Sequence, residues 1–376
     1  MIGLAVSAEA CQICLPFPNE SLADHILSST QLVLARENPD KPFTLRPTRT
    51  LAKNETTPPA LELFLDTSAR RQLAFNEDLS LLCGWSDESG EWRRLALYDQ
   101  ALAPVVSDIL EKRQNWKSDP ESRVRYFAGL LGHEETVLSD LAHLEVARAP
   151  YKQVIQFADR LPREELHRRL ADLRRIEWHA LYILLLAQSE DLADRQFIRD
   201  QVESNARYST TLQTAAWATA LVEIDGEKGV RRLTELYLDH SNRTPEEFAA
   251  IHAALRVHGD QGNTELRNLI VSTYRKLLGT HPALAPALAE DLTRWQRFDH
   301  AGQFADLLGG DTFDLVAGLR LRSHLQAAAS ARGESPSKPS ADHRQLNRDA
   351  YAFVGGLVLI PLALTVLVRR KSAASS

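Results

Sequence analysis

Ala180-Leu-Tyr-Ile-Leu-Leu-Leu-Ala-Gln-Ser-Glu-Asp191 recurs in outline thirty-five residues later as Ala215-Ala-Trp-Ala-Thr-Ala-Leu-Val-Glu-Ile-Asp-Gly226. It recurs again after thirty-five more as Ala250-Ile-His-Ala-Ala-Leu-Arg-Val-His-Gly-Asp-Gln261. Each copy opens on Ala, continues through small or apolar residues and ends in an acidic or Gly-containing turn. A second amphipathic run follows each one: Phe197 to Val202, Val230 to Leu238 and Leu266 to Leu278. A fixed period of this length is the mark of stacked helix hairpins, each burying a face that it cannot bury alone.

Outward from the repeat, Thr244-Pro-Glu-Glu247 reads as a helix start, with Thr at the N-cap, Pro at the first helical position and Glu three residues on. Ser118-Asp-Pro-Glu121 carries a similar signal, while Pro150 and Pro162 break the pattern. On period and small-residue pattern, residues 100–326 resemble a HEAT-type α-solenoid, with helices at about 283–325 closing the array. Such periodicity speaks for architecture and names no ligand.

Before residue 99 the period changes to that of strands. Gln31–Ala35, Phe43–Leu51, Leu61–Leu65, Leu79–Cys83 and Trp92–Tyr98 read as five short strands, with Pro47 marking an edge or a bulge. Together with Cys11, Cys14, Ala23-Asp24 and the later Cys83, residues 11–99 resemble the OB-like barrel of netrin-type modules and of tissue inhibitors of metalloproteinases. The resemblance implies a five-stranded barrel and admits a protease-inhibitor-like role. Those inhibitors carry Cys-x-Cys at the mature N-terminus, whereas this chain has Cys-x-x-Cys and lacks their further cysteines.

The two ends bear on location. Tyr351–Val368 holds eighteen residues without a charge, followed at once by Arg369, Arg370 and Lys371. As a helix it would span about 27 Å, close to a bilayer core. Residues 350–368 are therefore expected to be a single transmembrane helix, and the three basic residues of tail 369–376 a cytoplasmic stop. Residues 327–349 have linker composition. The body would then be periplasmic or extracellular. Ala8-Glu9-Ala10 has the small-x-small pattern of a signal-peptidase site, so residues 1–10 are read as a signal-peptide remnant. Cys11 and Cys14 could be a redox pair, half a zinc site or ends of separate disulfides. In an oxidising compartment a bridge from Cys14, or from Cys11, to Cys83 is expected. Gly355-Gly356 at the start of the apolar run also resembles a GlyGly-type sorting tail.

The formal net charge of −6 argues against a nucleic-acid partner. No P-loop, dinucleotide fingerprint or Gly-x-Ser-x-Gly is found, and no motif implies a cofactor or a catalytic residue. His133, Glu134, Glu135, Asp140, His143 and Glu145 are the densest set of potential ligands, but His-Glu-x-x-His is missing. His252 and His258 fall at repeat positions, which points to packing and turn roles. Arg163, Arg168, Arg169, Arg174 and Arg175 interleave with Glu164, Glu165, Asp172 and Glu177 at helical spacing, the pattern of ion pairs on a wet face. The expectation is a membrane-anchored, extracytoplasmic protein-interaction scaffold without catalysis, its partner on the solenoid. The alternatives are a metal-dependent or hydrolytic enzyme among the His and carboxylates, and an inhibitor-like β module.

Overall fold

The computed structural model describes residue 18 and residues 20–53, 58–310 and 313–333. Its N-terminal part is a four-stranded antiparallel sheet rather than a five-stranded barrel. Helix α1 (Leu22–Ser28) starts on a Ser21 capping box and leads into β1 (Gln31–Glu37), then β2 (Leu45–Ala52). Helix α2 (Thr67–Phe75) is capped by Asp66, and β3 (Ser80–Ser86) and β4 (Glu91–Tyr98) follow. The strand order is β2-β1-β3-β4. A barrel requires the edge strands to meet, and here β2 and β4 lie at opposite edges. Helices cover both faces instead. Leu32, Leu34 and Leu82 join α1 and α3 (Leu102–Ser118) in one core, while Val33, Ala35, Leu81 and Cys83 pack with Ala69 and Leu73 of α2 in another.

The expected strand Leu61–Leu65 is reduced to one bridge, Thr44 to Phe64. Pro58 and Pro59 just before it lack N–H donors, and Asp66 just after it turns the chain into α2. Cys83 is fully buried, and burial pushes its thiol up to about 12. Cys11 and Cys14, and so the expected bridge, lie outside the described residues.

Helices then take over: α4 (Pro120–Ala128), α5 (Thr136–Ala147), α6 (Tyr151–Val154) and α7 (Arg163–Leu170). Single 3₁₀ segments, Ile155–Arg160 and Leu173–Trp178, interrupt them. The recurring sequence blocks become α8 (His179–Leu186), α10 (Thr214–Asp225) and α12 (Pro245–Gln261). Each is followed by its partner run, in α9 (Leu192–Tyr208), in α11 (Glu227–Leu233) with the π-helical Thr234–Leu238, and in α13 (Thr264–Thr280). Helix α10 packs against both α8 and α12, which stacks the pairs.

The solenoid expected over 100–326 is corrected accordingly. A solenoid repeats one packing step along its length, and that step is confined to these three pairs. The chain divides into two compact units between Thr280 and His281. In the second unit α16 (Leu315–Ala331) packs against α14 (Ala285–Arg294) and α15 (Ala301–Leu308). Helix α16 continues through residues expected as linker. The expected transmembrane segment 350–368 and the tail with Arg369, Arg370 and Lys371 lie outside the described residues. Among the described residues no helix is long and apolar enough to cross a membrane.

Small residues set the spacing of the stacked pairs. A Cβ on Gly229 of α11 would lie 2.7 Å from the Leu221 carbonyl oxygen and 2.9 Å from Val222 Cα, both backbone atoms of α10. Gly229→Ala is expected to cost about 1–3 kcal/mol through this overpacking. The gain in helix propensity, about 1 kcal/mol, does not offset it. Urea denaturation of the variant checks this, and an unchanged midpoint would contradict the close contact.

Candidate functional site

The C-terminal turns of α7, the 3₁₀ segment Leu173–Trp178 and the first turns of α5 meet around an open cavity of about 400 Å³. It is lined by Thr136, Asp140, Arg168, Arg169, Asp172, Arg174, Arg175 and Glu177. Its inner wall is a closed polar network. His143 is fully buried and its Nδ1 lies 2.5 Å from the Ser139 carbonyl oxygen, so Nδ1–H donates there. Nε2 is then the acceptor, 2.9 Å from the Tyr182 hydroxyl and 3.0 Å from Arg169 Nη1. Burial holds the His143 imidazole down at about 4, so it is neutral at pH 7. Arg169 also donates to Glu165. The network ties α5, α7 and α8 together and leaves His143 no lone pair for a metal or a substrate proton.

The arginines of the outer wall are each matched to a carboxylate. Arg168 makes a two-pronged pair with Glu165, and Arg174 another with Asp172. Arg175 lies 3.4 Å from Asp140. A phosphate entering the cavity would have to displace those carboxylates. At the rim, Val137 beside Thr136 and Leu173 between Asp172 and Arg174 are 59% and 73% exposed.

A second cluster lies along α7 and α9. Asp194 is fully buried and accepts from Arg163 Nε at 2.6 Å, His167 Nε2 at 2.7 Å and Ser189 Oγ at 2.6 Å. Burial alone would raise its carboxyl, but these hydrogen bonds hold it down at about 2. Ser, His and Asp thus meet, though with the carboxylate in the middle. Nucleophilic catalysis needs the imidazole between hydroxyl and carboxylate, so this arrangement serves as a bracket. A third cluster joins α1 to the helices: Ser21 and Arg123 donate to buried Glu145, and Arg123 and Arg148 donate to Asp24.

The ligand set expected from sequence is therefore dispersed. His133 and Glu134 sit exposed before α5, where His133 Nδ1 accepts from the Glu135 N–H at 3.0 Å. Asp140 faces the cavity, His143 the interior and Glu145 the α1 clamp. Among the described residues no three His, Cys, Asp or Glu are grouped so as to hold a metal ion. His258 Nε2–H donates to the Thr219 carbonyl at 2.9 Å across α12 and α10, and His252 stacks near Tyr274. Tyr182, which completes the His143 network, stands in the repeat as an ordinary core position and carries no sequence signal of that role. No protein-family model, curated protein or solved structure matches this chain.

Proposed function

We propose that the protein is a non-catalytic scaffold that binds another protein at the cavity between α5, α7 and the segment Leu173–Trp178. The supporting observation is the rim, where the exposed side chains of Val137 and Leu173 stand beside Arg168, Arg174 and Arg175. Arginine is enriched at protein interfaces, where apolar side chains fill the core of the contact. Guanidinium groups already neutralised by carboxylates lose less hydration energy when covered than isolated charges do. The polar network behind the rim fixes the three elements, so the surface is organised before a partner arrives. The scaffold is held at a membrane through the uncharged run Tyr351–Val368, its body outside the cytoplasm.

A photo-reactive benzoylphenylalanine at position 137 or 173, irradiated in native membranes, tests the reading. One adduct of the same mass from both positions is expected, and Leu173→Asp should weaken that complex about tenfold, a loss of about 1.4 kcal/mol. Full-length chain present at normal level with no adduct from either position would sink the reading.

A further inference from the structure

The sheet has two edges, and they are built differently. Strand β2 carries Pro47 and two register shifts against β1, and its residues Arg46–Thr50 are exposed. These are devices that blunt an edge against pairing. Strand β4 has no proline, and among the described residues no strand pairs with its outer side. Its last four residues, Leu95-Ala-Leu-Tyr98, are apolar or aromatic and only half-buried. A groove of about 350 Å³ runs beside this edge. Leu81, Leu97 and Ala69 supply its apolar surface, and Ser68 and Gln72 of α2 form its wall.

Helical spacing puts Ser68, Gln72 and Phe75 on one stripe of α2, with Arg71 next to it. Phe75 is 91% exposed. On the strand side stand Arg93 and Arg94, both more than two-fifths exposed. The combination is an unpaired strand edge, an apolar groove and a basic border.

We propose that the β4 edge and the α2 wall take up an extended acidic segment of a partner protein as an added strand. Main-chain hydrogen bonds to β4 would supply affinity, and alternate side chains would enter the groove. Charge decides the occupant. Arg71, Arg93 and Arg94 attract carboxylates and repel the same edge of a second copy. The inference shares with the proposed function only the class of ligand. It concerns a different surface, so either can fail alone.

The test is a selection of random ten-residue peptides displayed on phage against the full chain in detergent. Recovered sequences are expected to alternate apolar with acidic residues. Synthetic copies should bind at least about tenfold more weakly to Arg71→Glu/Arg93→Glu, and likewise to Gln72→Trp, which fills the groove. All three positions are exposed, so the fold should survive, and circular dichroism checks that it does. Basic or unpatterned sequences, no enriched sequence, or binding unaffected by both variants would overturn the proposal. So would dimerisation of the chain that the charge reversal abolishes.

Discussion

Exchanging His143 for alanine is expected to lower the stability of the first unit by about 3–5 kcal/mol. The imidazole is the shared acceptor of two buried donors, Arg169 Nη1 and the Tyr182 hydroxyl. Its removal leaves a hydroxyl and part of a guanidinium in the interior without a partner, and opens a cavity between α5 and α8. Guanidinium denaturation followed by tryptophan fluorescence should show the midpoint falling. The same group predicts an acid limb. The folded-state pKa of His143, about 4, lies below its unfolded value of 6.5. Between these values the unfolded chain binds the extra proton, so stability is complete above about pH 6.5 and falls as pH drops toward 4. The full loss is about 3 kcal/mol. Burial holds His324 down in the same direction, but it lies beyond the division after Thr280. Hydrogen exchange read in α5 and α8 separates the two. If those helices keep equal protection from pH 7 to pH 4.5, the neutral buried imidazole is wrong.

Glu145→Ala is expected to release α1 at a cost of about 3 kcal/mol, as for a buried ion pair deprived of one member. Glu145 is 5% exposed and receives Ser21 Oγ and Arg123 Nη2, the latter at 2.7 Å. Arg123 is itself largely covered and also holds Asp24 at 2.7 Å. With Glu145 gone, Arg123 keeps one carboxylate and Ser21 loses its long-range partner. The effect should be local before it is global. Amides of α1 should exchange at least about tenfold faster, whereas those of α12 and α13 should be unchanged. Equal exchange in α1 of variant and wild type would show that apolar packing of Ala23 and Ile26 alone holds the helix.

Several of these features can be read in the residues themselves. Thr244-Pro-Glu-Glu247 forms the capping box its spacing implies. The similar signal at Ser118–Glu121 starts a helix one residue later than read, with Asp119 as the cap. Both are local chemistry, decided within a few residues. The five-stranded barrel failed for the opposite reason. The segments Leu61–Leu65 and Leu79–Cys83 look alike as short apolar runs, yet only the second has neighbours on both sides in the sheet. The stretch Thr67–Phe75, passed over between them, becomes the helix that covers one face of the sheet.

By itself the sequence determined where helical period begins, the three recurring helix pairs and the turns that cap them, because each is written in spacing along the chain. Only the tertiary structure decided that the sheet stays open, that the repeat stops at Thr280 and that His143, Glu145 and Asp194 serve three separate polar clusters. Those outcomes depend on which surfaces meet across long separations. Glu145 joins Ser21 from 124 positions away, and His143 joins Tyr182 from 39. Side chains that are neighbours along α5 are thereby sent to opposite sides of the helix. A dense run of titratable residues in sequence is dispersed by the 3.6-residue period, and a chemical group in space is assembled from helices far apart in the chain.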